Sequence, residues 1–240
     1  MLRFYLKPFL SGLVLPLYLQ KQNTMRKVIS ILSITGLSIF ASSCIHDDGP
    51  QPYYPPQKYT YAEEFNDNSR GWAFADPANY AYGVVSNGTY KFDYNDNLQE
   101  AYYVSKTIGF NRYNDFTIQT RIGSNNNMGL LFGDNSSVNS YGYSFTVDYD
   151  GYFALYDEGG NGYGPDVQEI VPPTTNGNVN INGDWNELRL EQRGSRWIGY
   201  VNNIQVFNVP AQNLKGTNVG FVDVKLTQGE ADYLQVDWIE

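Results

Sequence analysis

Residues 141–157 read YGYSFTVDYDGYFALYD, and the placing of apolar and polar residues along them decides the fold. Tyr143, Phe145 and Val147 alternate with Ser144, Thr146 and Asp148, the period of two that marks a strand with one buried face. A three-residue loop of Tyr149, Asp150 and a left-handed Gly151 pairs Asp148 with Tyr152, Val147 with Phe153 and Phe145 with Leu155. A four-residue loop would set Phe153 and Leu155 against the polar face, so the apolar pattern selects the shorter turn. The hairpin then has one core face. Its other face carries Ser144, Thr146, Asp148, Tyr152, Ala154 and Tyr156, and is either a solvated sheet surface or a binding surface.

The same punctuation runs outward from this hairpin in both directions. Strands are expected at 59–65, 80–85, 89–94, 101–108, 115–122 and 128–133 on its N-terminal side, with a turn at Asn87-Gly88. On its C-terminal side they are expected at 167–171, stopped by Pro172-Pro173, and at 187–192, 196–201, 204–207, 219–224 and 231–238. Met128–Gly133 (MGLLFG) is apolar on both faces and reads as a central strand. About a dozen closely spaced strands and no amphipathic helix point to an antiparallel sandwich over residues 59–240. No fixed-period repeat marks a propeller or solenoid.

The beginning of the chain reads as an address. Met25-Arg26-Lys27, the apolar run 28–40 and Ala41-Ser42-Ser43 make the three parts of a secretory signal, and Cys44, the single cysteine, follows them. Ala41-Ser42-Ser43-Cys44 resembles the lipobox of bacterial lipoproteins, with lipidation expected at Cys44. Residues 1–43 are thus a signal region, with 25–43 the signal peptide and 1–24 explained by a start codon called too early. The acidic pair Asp47-Asp48 is similar to the surface-export signal of Bacteroidetes lipoproteins. Residues 44–58, rich in proline, form a spacer. The expected location is the outer membrane, lipid-anchored and facing the cell exterior, with no other contact with the membrane.

Charge narrows the partners. Five of the 16 basic residues precede Cys44, so the remaining 11 stand against 25 acidic ones, a net of −14 (11 − 25). A domain this acidic is a poor candidate for nucleic acid, whose phosphates demand Lys and Arg, and no nucleic-acid partner is expected.

Phe65, Gly71-Trp72, Gly88-Thr89-Tyr90, Asp115-Phe116, Gly129–Gly133, Tyr143-Ser144-Phe145 with Gly151–Leu155, Trp185–Leu188, Tyr200-Val201-Asn202 and Val219-Gly220-Phe221 occur in one order. This series resembles the concanavalin A-like lectin/glucanase superfamily, and within it laminin-G-like and 3-keto-disaccharide hydrolase-like domains. The resemblance implies a jelly-roll of two curved antiparallel sheets, often with sugar bound on or beside the concave one.

The chemistry open to the domain is limited. The one histidine, His46, is in the spacer, so His- or Cys-based catalysis and zinc ligation are excluded from the folded part. Catalysis would need paired carboxylates. The nearest run, Glu230-Ala231-Asp232-Tyr233-Leu234-Gln235, lacks the second Glu of the glucanase motif. No cofactor is expected. A structural calcium stays open at Asp93–Asn97, Asn66–Asn68 or Asp148/Asp150, although turns use Asp and Asn for backbone reasons. Sugar recognition asks for exposed aromatic faces beside planar polar groups. Tyr152 and Tyr156 supply the faces, Gln119 and Arg121 on an assumed neighbouring strand supply the polar groups, and Tyr163 would close over a ligand. The expectation is a non-catalytic carbohydrate-binding surface lipoprotein whose partner is a glycan. The alternatives are a carboxylate-based glycoside or 3-keto-disaccharide hydrolase, and an adhesion module that binds a surface protein.

Overall fold

The structure, a computed structural model, describes residues 55–96, 100–135, 141–159 and 167–240. The signal region, Cys44, part of the spacer, and Tyr163 lie outside the described residues. Among the described residues fifteen strands form: β1 Lys58–Glu63, β2 Phe74–Asp76, β3 Ala81–Ser86, β4 Thr89–Tyr94, β5 Ala101–Thr107, β6 Phe116–Ser124, β7 Asn127–Asp134 and β8 Tyr143–Asp148, followed by β9 Tyr152–Asp157, β10 Gln168–Thr175, β11 Asn186–Arg193, β12 Arg196–Val201, β13 Ile204–Pro210, β14 Asn218–Val224 and β15 Thr227–Ile239. Among the described residues the only helical piece is a 3-10 turn, Pro77–Asn79.

The strands make the expected antiparallel jelly-roll sandwich. A nine-stranded sheet runs β13-β12-β11-β6-β15-β4-β3-β2, with β1 also on β15, and a six-stranded sheet runs β10-β9-β8-β7-β14-β5. The central hairpin pairs as its alternation requires: Phe145 faces Leu155, Val147 faces Phe153, and Gly151 takes φ 90°. Only a residue without Cβ adopts that φ freely. Asn87 (55°) and Gly88 (76°) make the tight β3–β4 turn, and Asn202 (49°) and Asn203 (66°) the β12–β13 turn. β7 lies inside the six-stranded sheet and is buried on both faces, as its apolar run dictates.

Two expectations are corrected. Pro172 and Pro173 do not stop a strand at residue 171; β10 continues through them to Thr175. It can do so because it is an edge strand, and its register slips between Glu169 and Val171 and again between Val171 and Thr174. A proline costs a sheet nothing where no ladder hydrogen bond is due. β2 was not expected, because three residues carry too little alternation to read.

Aromatic side chains fill the space between the sheets. Phe65, Trp72 and Tyr90 on one side meet Phe221 of β14 at centroid distances of 6.1, 5.7 and 5.6 Å. At a second point Trp197 of β12 stands edge-on to Phe132 (5.2 Å) and Tyr143 (4.7 Å). Each such contact adds about 0.5–1.5 kcal/mol beyond the area it buries. Trp72 and Trp197 are core residues.

A carboxylate interrupts the apolar interior. Asp223 of β14 points into the core, is 0% exposed, and neither of its carboxylate oxygens has a hydrogen-bond partner. Burial, reinforced by the charge of Asp93, pushes its pKa well above the usual carboxylate value. The unfolded chain releases this proton near the ordinary value while the folded chain keeps it, so stability falls as pH rises above that value. Each pH unit of this mismatch costs about 1.4 kcal/mol, up to the folded-state pKa. Asp223→Asn removes the titration. Its thermal midpoint should gain on the wild type steadily between pH 4 and pH 7, and parallel curves would show that Asp223 is not held neutral.

Candidate functional site

The polar face of the central hairpin is not a solvated surface. Ser144 and Thr146 point away from the core, yet both are buried. They form the floor of a groove of about 350 Å³ on the outer face of the six-stranded sheet. Ala101 and Tyr103 of β5, Val222 of β14 and Tyr156 of β9 continue that floor and its walls, so the groove crosses the sheet from one side towards the other.

Alternation places each of these side chains. On β9, Phe153 and Leu155 take the core, which sends Tyr152, Ala154 and Tyr156 outward. On β14, Val219 and Phe221 take the core and Val222 faces out. On β5, Tyr102 stacks on Phe74 in the interior (5.6 Å), so its neighbour Tyr103 must face the groove. There Tyr103 packs against Tyr141 at 4.5 Å.

The head of the groove is Glu158, only 6% exposed. Its carboxylate accepts a hydrogen bond from the Tyr103 hydroxyl at 2.7 Å and another from the Ser144 hydroxyl. Burial pushes its pKa above the ordinary glutamate value, partly offset by those two donors. Beneath this end the Lys215 ammonium binds the Asp157 carboxylate and the carbonyls of Tyr141 (2.9 Å) and Gly159 (3.1 Å), pinning together the segments that carry Tyr141 and Glu158. At the opposite end Glu100 lines the groove and receives Lys225 at 2.9 Å. Apolar walls, aromatic rings and a few fixed polar groups are the usual furniture of a small-molecule site.

The residues named from the sequence divide between the two sheets. Tyr156 lines the groove. Tyr152 shares its outer face but stands at the far end of β9, 39% exposed. Gln119 and Arg121 are not their neighbours, which corrects the assumed adjacency: β6 lies in the other sheet, between β11 and β15. There Gln119 meets the Tyr233 hydroxyl at 3.4 Å, while Arg121 pairs with Asp232 at 3.0 Å and lies over the Trp185 ring at 5.0 Å. With Lys91–Glu230 (3.2 Å) and Arg189 over Tyr200 (4.1 Å), they form a solvated lattice of charge pairs. Tyr103 and Glu158 were missed. Glu158 follows Tyr156 by two residues, and that spacing carries it to the same face, but the Gly- and Asn-rich run after it read as loop.

The described residues of the segments named for calcium have definite places in the fold. Asp93 and Tyr94 are strand residues of β4, with Tyr94 in the core. Asp67 caps the Ser69 amide (2.7 Å), and Asp148 accepts from the amides of Asp150 (3.0 Å) and Tyr152 (2.8 Å), holding the hairpin turn. Among the described residues no group of three or more His, Cys, Asp or Glu is placed to hold a metal ion.

No family model matches the chain, and no curated protein matches it in sequence. Solved structures do. One, described as "Prominent members of the human gut microbiota express endo-acting O-glycanases to initiate mucin breakdown", is similar at a TM-score of 0.50 and 9% identity, over 75% of this chain and 99% of that one. The CBM2 module of the evolved Dit of Lactobacillus casei BL23 phage J-1 aligns at 0.48 and 9% identity, over 78% and 98%. The carbohydrate-binding module CBM66 from Bacillus subtilis aligns at 0.40 and 14%, over 66% and 84%. The likeness is one of fold.

The groove head makes its own prediction. Tyr103→Phe removes one donor from a buried carboxylate, so the Glu158 pKa should rise further, read by carboxyl-carbon NMR titration. The fold should lose about 1.5–3 kcal/mol, the worth of a hydrogen bond to a charged group. An unmoved Glu158 titration would show that the hydroxyl does not hold it.

Proposed function

We propose that this domain binds carbohydrate in the groove of the six-stranded sheet, as the non-catalytic part of a surface lipoprotein. The observation that carries the reading is the joining of Tyr103, Tyr156 and a buried, hydrogen-bonded Glu158 around a partly apolar floor. Pyranose rings have apolar faces that lie against tyrosine rings and a rim of hydroxyls that a fixed carboxylate can accept from. The similar structure at a TM-score of 0.50 is described as that of glycanases acting on mucin, which agrees with a glycan as the partner. The lipidated Cys44, the extended spacer and an outward-facing position on the outer membrane complete the proposal. They rest on the sequence signals, and the anchor is the only membrane contact in it. Metabolic labelling with a palmitate analogue, lost in Cys44→Ala, tests that part.

A second reading has one observation in its favour. A glutamate whose pKa is raised by burial suits a general acid of glycoside hydrolysis, and Glu158 shares its groove with a second carboxylate, Glu100. Sustained release of reducing ends from a glycan, abolished by Glu158→Gln, would establish the enzyme and end the binding-only reading.

Affinity electrophoresis over a panel of host and plant polysaccharides tests the binding site itself. Tyr156→Ala should weaken retardation about tenfold, the worth of one stacking contact. Arg121→Ala and Gln119→Ala, on the other sheet, should leave it unchanged. The reverse pattern would move the site to the nine-stranded sheet.

A further inference from the structure

The groove carries a charge pattern that restricts what can enter it. Among the described residues two carboxylates line it, Glu100 and Glu158, and no Lys or Arg does. Along the same outer face the Tyr156 hydroxyl is raised in pKa by burial first, and then by the negative charges of Glu169, Glu158 and Asp148. The cations closest to this face are already committed: Lys225 to Glu100, and Lys215 to Asp157 and three backbone carbonyls. An incoming anion therefore finds like charge and no described cation free to receive it. Glu158 keeps acceptor capacity beyond the two hydroxyls it binds, because an ionised carboxylate offers about four lone-pair sites. What it lacks is a further donor.

We infer that the groove takes uncharged or ammonium-bearing sugars, with a sugar hydroxyl or ammonium donating to Glu158, and excludes glycans carrying uronate, sulfate or sialate groups at that position. This rests on the reading of the groove as a glycan site and specifies its ligand class. Specificity here comes from repulsion as much as from contact: the acidic groove disfavours anionic sugars that the tyrosines would otherwise accept.

The test compares matched ligands with the full chain in detergent micelles. Laminarin, galactan and hydroxyethyl cellulose are each measured before and after oxidation of the C6 hydroxymethyl groups to carboxylates, beside chitosan and polygalacturonate. Oxidation should weaken binding of whichever neutral glycan is retained by about tenfold or more at low salt, the effect of some 1.4 kcal/mol of like-charge repulsion. Added 0.5 M sodium chloride should shrink the gap. Glu100→Gln, a change at a side chain 75% exposed that also frees Lys225, should narrow it without disturbing the fold. Glu158→Gln should narrow it further. Oxidised glycan or polygalacturonate binding as tightly as the neutral parent would overturn the charge selection and leave the glycan site standing. Binding of none of these glycans, neutral, cationic or anionic, would overturn the glycan site and the selection with it.

Discussion

The edge-to-face contacts that Trp197 makes with Phe132 and Tyr143, together with the Phe65, Trp72, Tyr90 and Phe221 cluster, hold the two sheets against each other. Much of the rest of the architecture follows from this constraint. Strands have two faces, and once the alternate residues of β8, β9 and β14 are spent on the aromatic interior, their neighbours are forced outward. Ser144, Thr146, Tyr156 and Val222 reach the groove because Tyr143, Phe145, Leu155 and Phe221 are required inside. Core and candidate site are opposite sides of the same strands.

The two outer faces solved the problem of exposure differently. On the nine-stranded sheet, long charged side chains pair with one another above the backbone, as Arg121 does with Asp232 and Lys91 with Glu230. Exposed pairs of this kind contribute little energy, about 0–1 kcal/mol each, but they keep a broad sheet soluble. On the six-stranded sheet small and apolar residues line a recess, and its one fully walled charge, Glu158, is held by hydroxyls. A buried carboxylate without a cation costs stability. Such a cost persists where a site needs the group.

What the sequence revealed and what it concealed separate along physical lines. Register within a hairpin is local: Phe145 faces Leu155 because a turn one residue longer would have set Phe153 and Leu155 against the polar face, and that is how they pair. Asn87-Gly88 made its turn for an equally local reason. Strand order is not local. Nothing in Gln119 or Arg121 says that the chain crosses to the other sheet between β6 and β7, so alternation put them on a polar face but could not say which. Pro172 and Pro173 misled for the same reason, since a proline ends an interior strand and is harmless on an edge whose ladder slips. Tyr156 was legible as an outward aromatic residue. Its partnership with Tyr103 required knowing that β5 and β9 share a sheet, four strands apart.

Titration of the isotopically labelled protein with a retained neutral glycan, followed by amide NMR shifts, tests the central claim most directly. Binding in the groove predicts that the signals of Ser144, Thr146, Tyr156 and Val222 move together while those of Gln119, Arg121 and Tyr233 stay in place. Shifts gathered on the nine-stranded sheet or on the loops around Tyr149 and Trp185, with a silent groove, would contradict it.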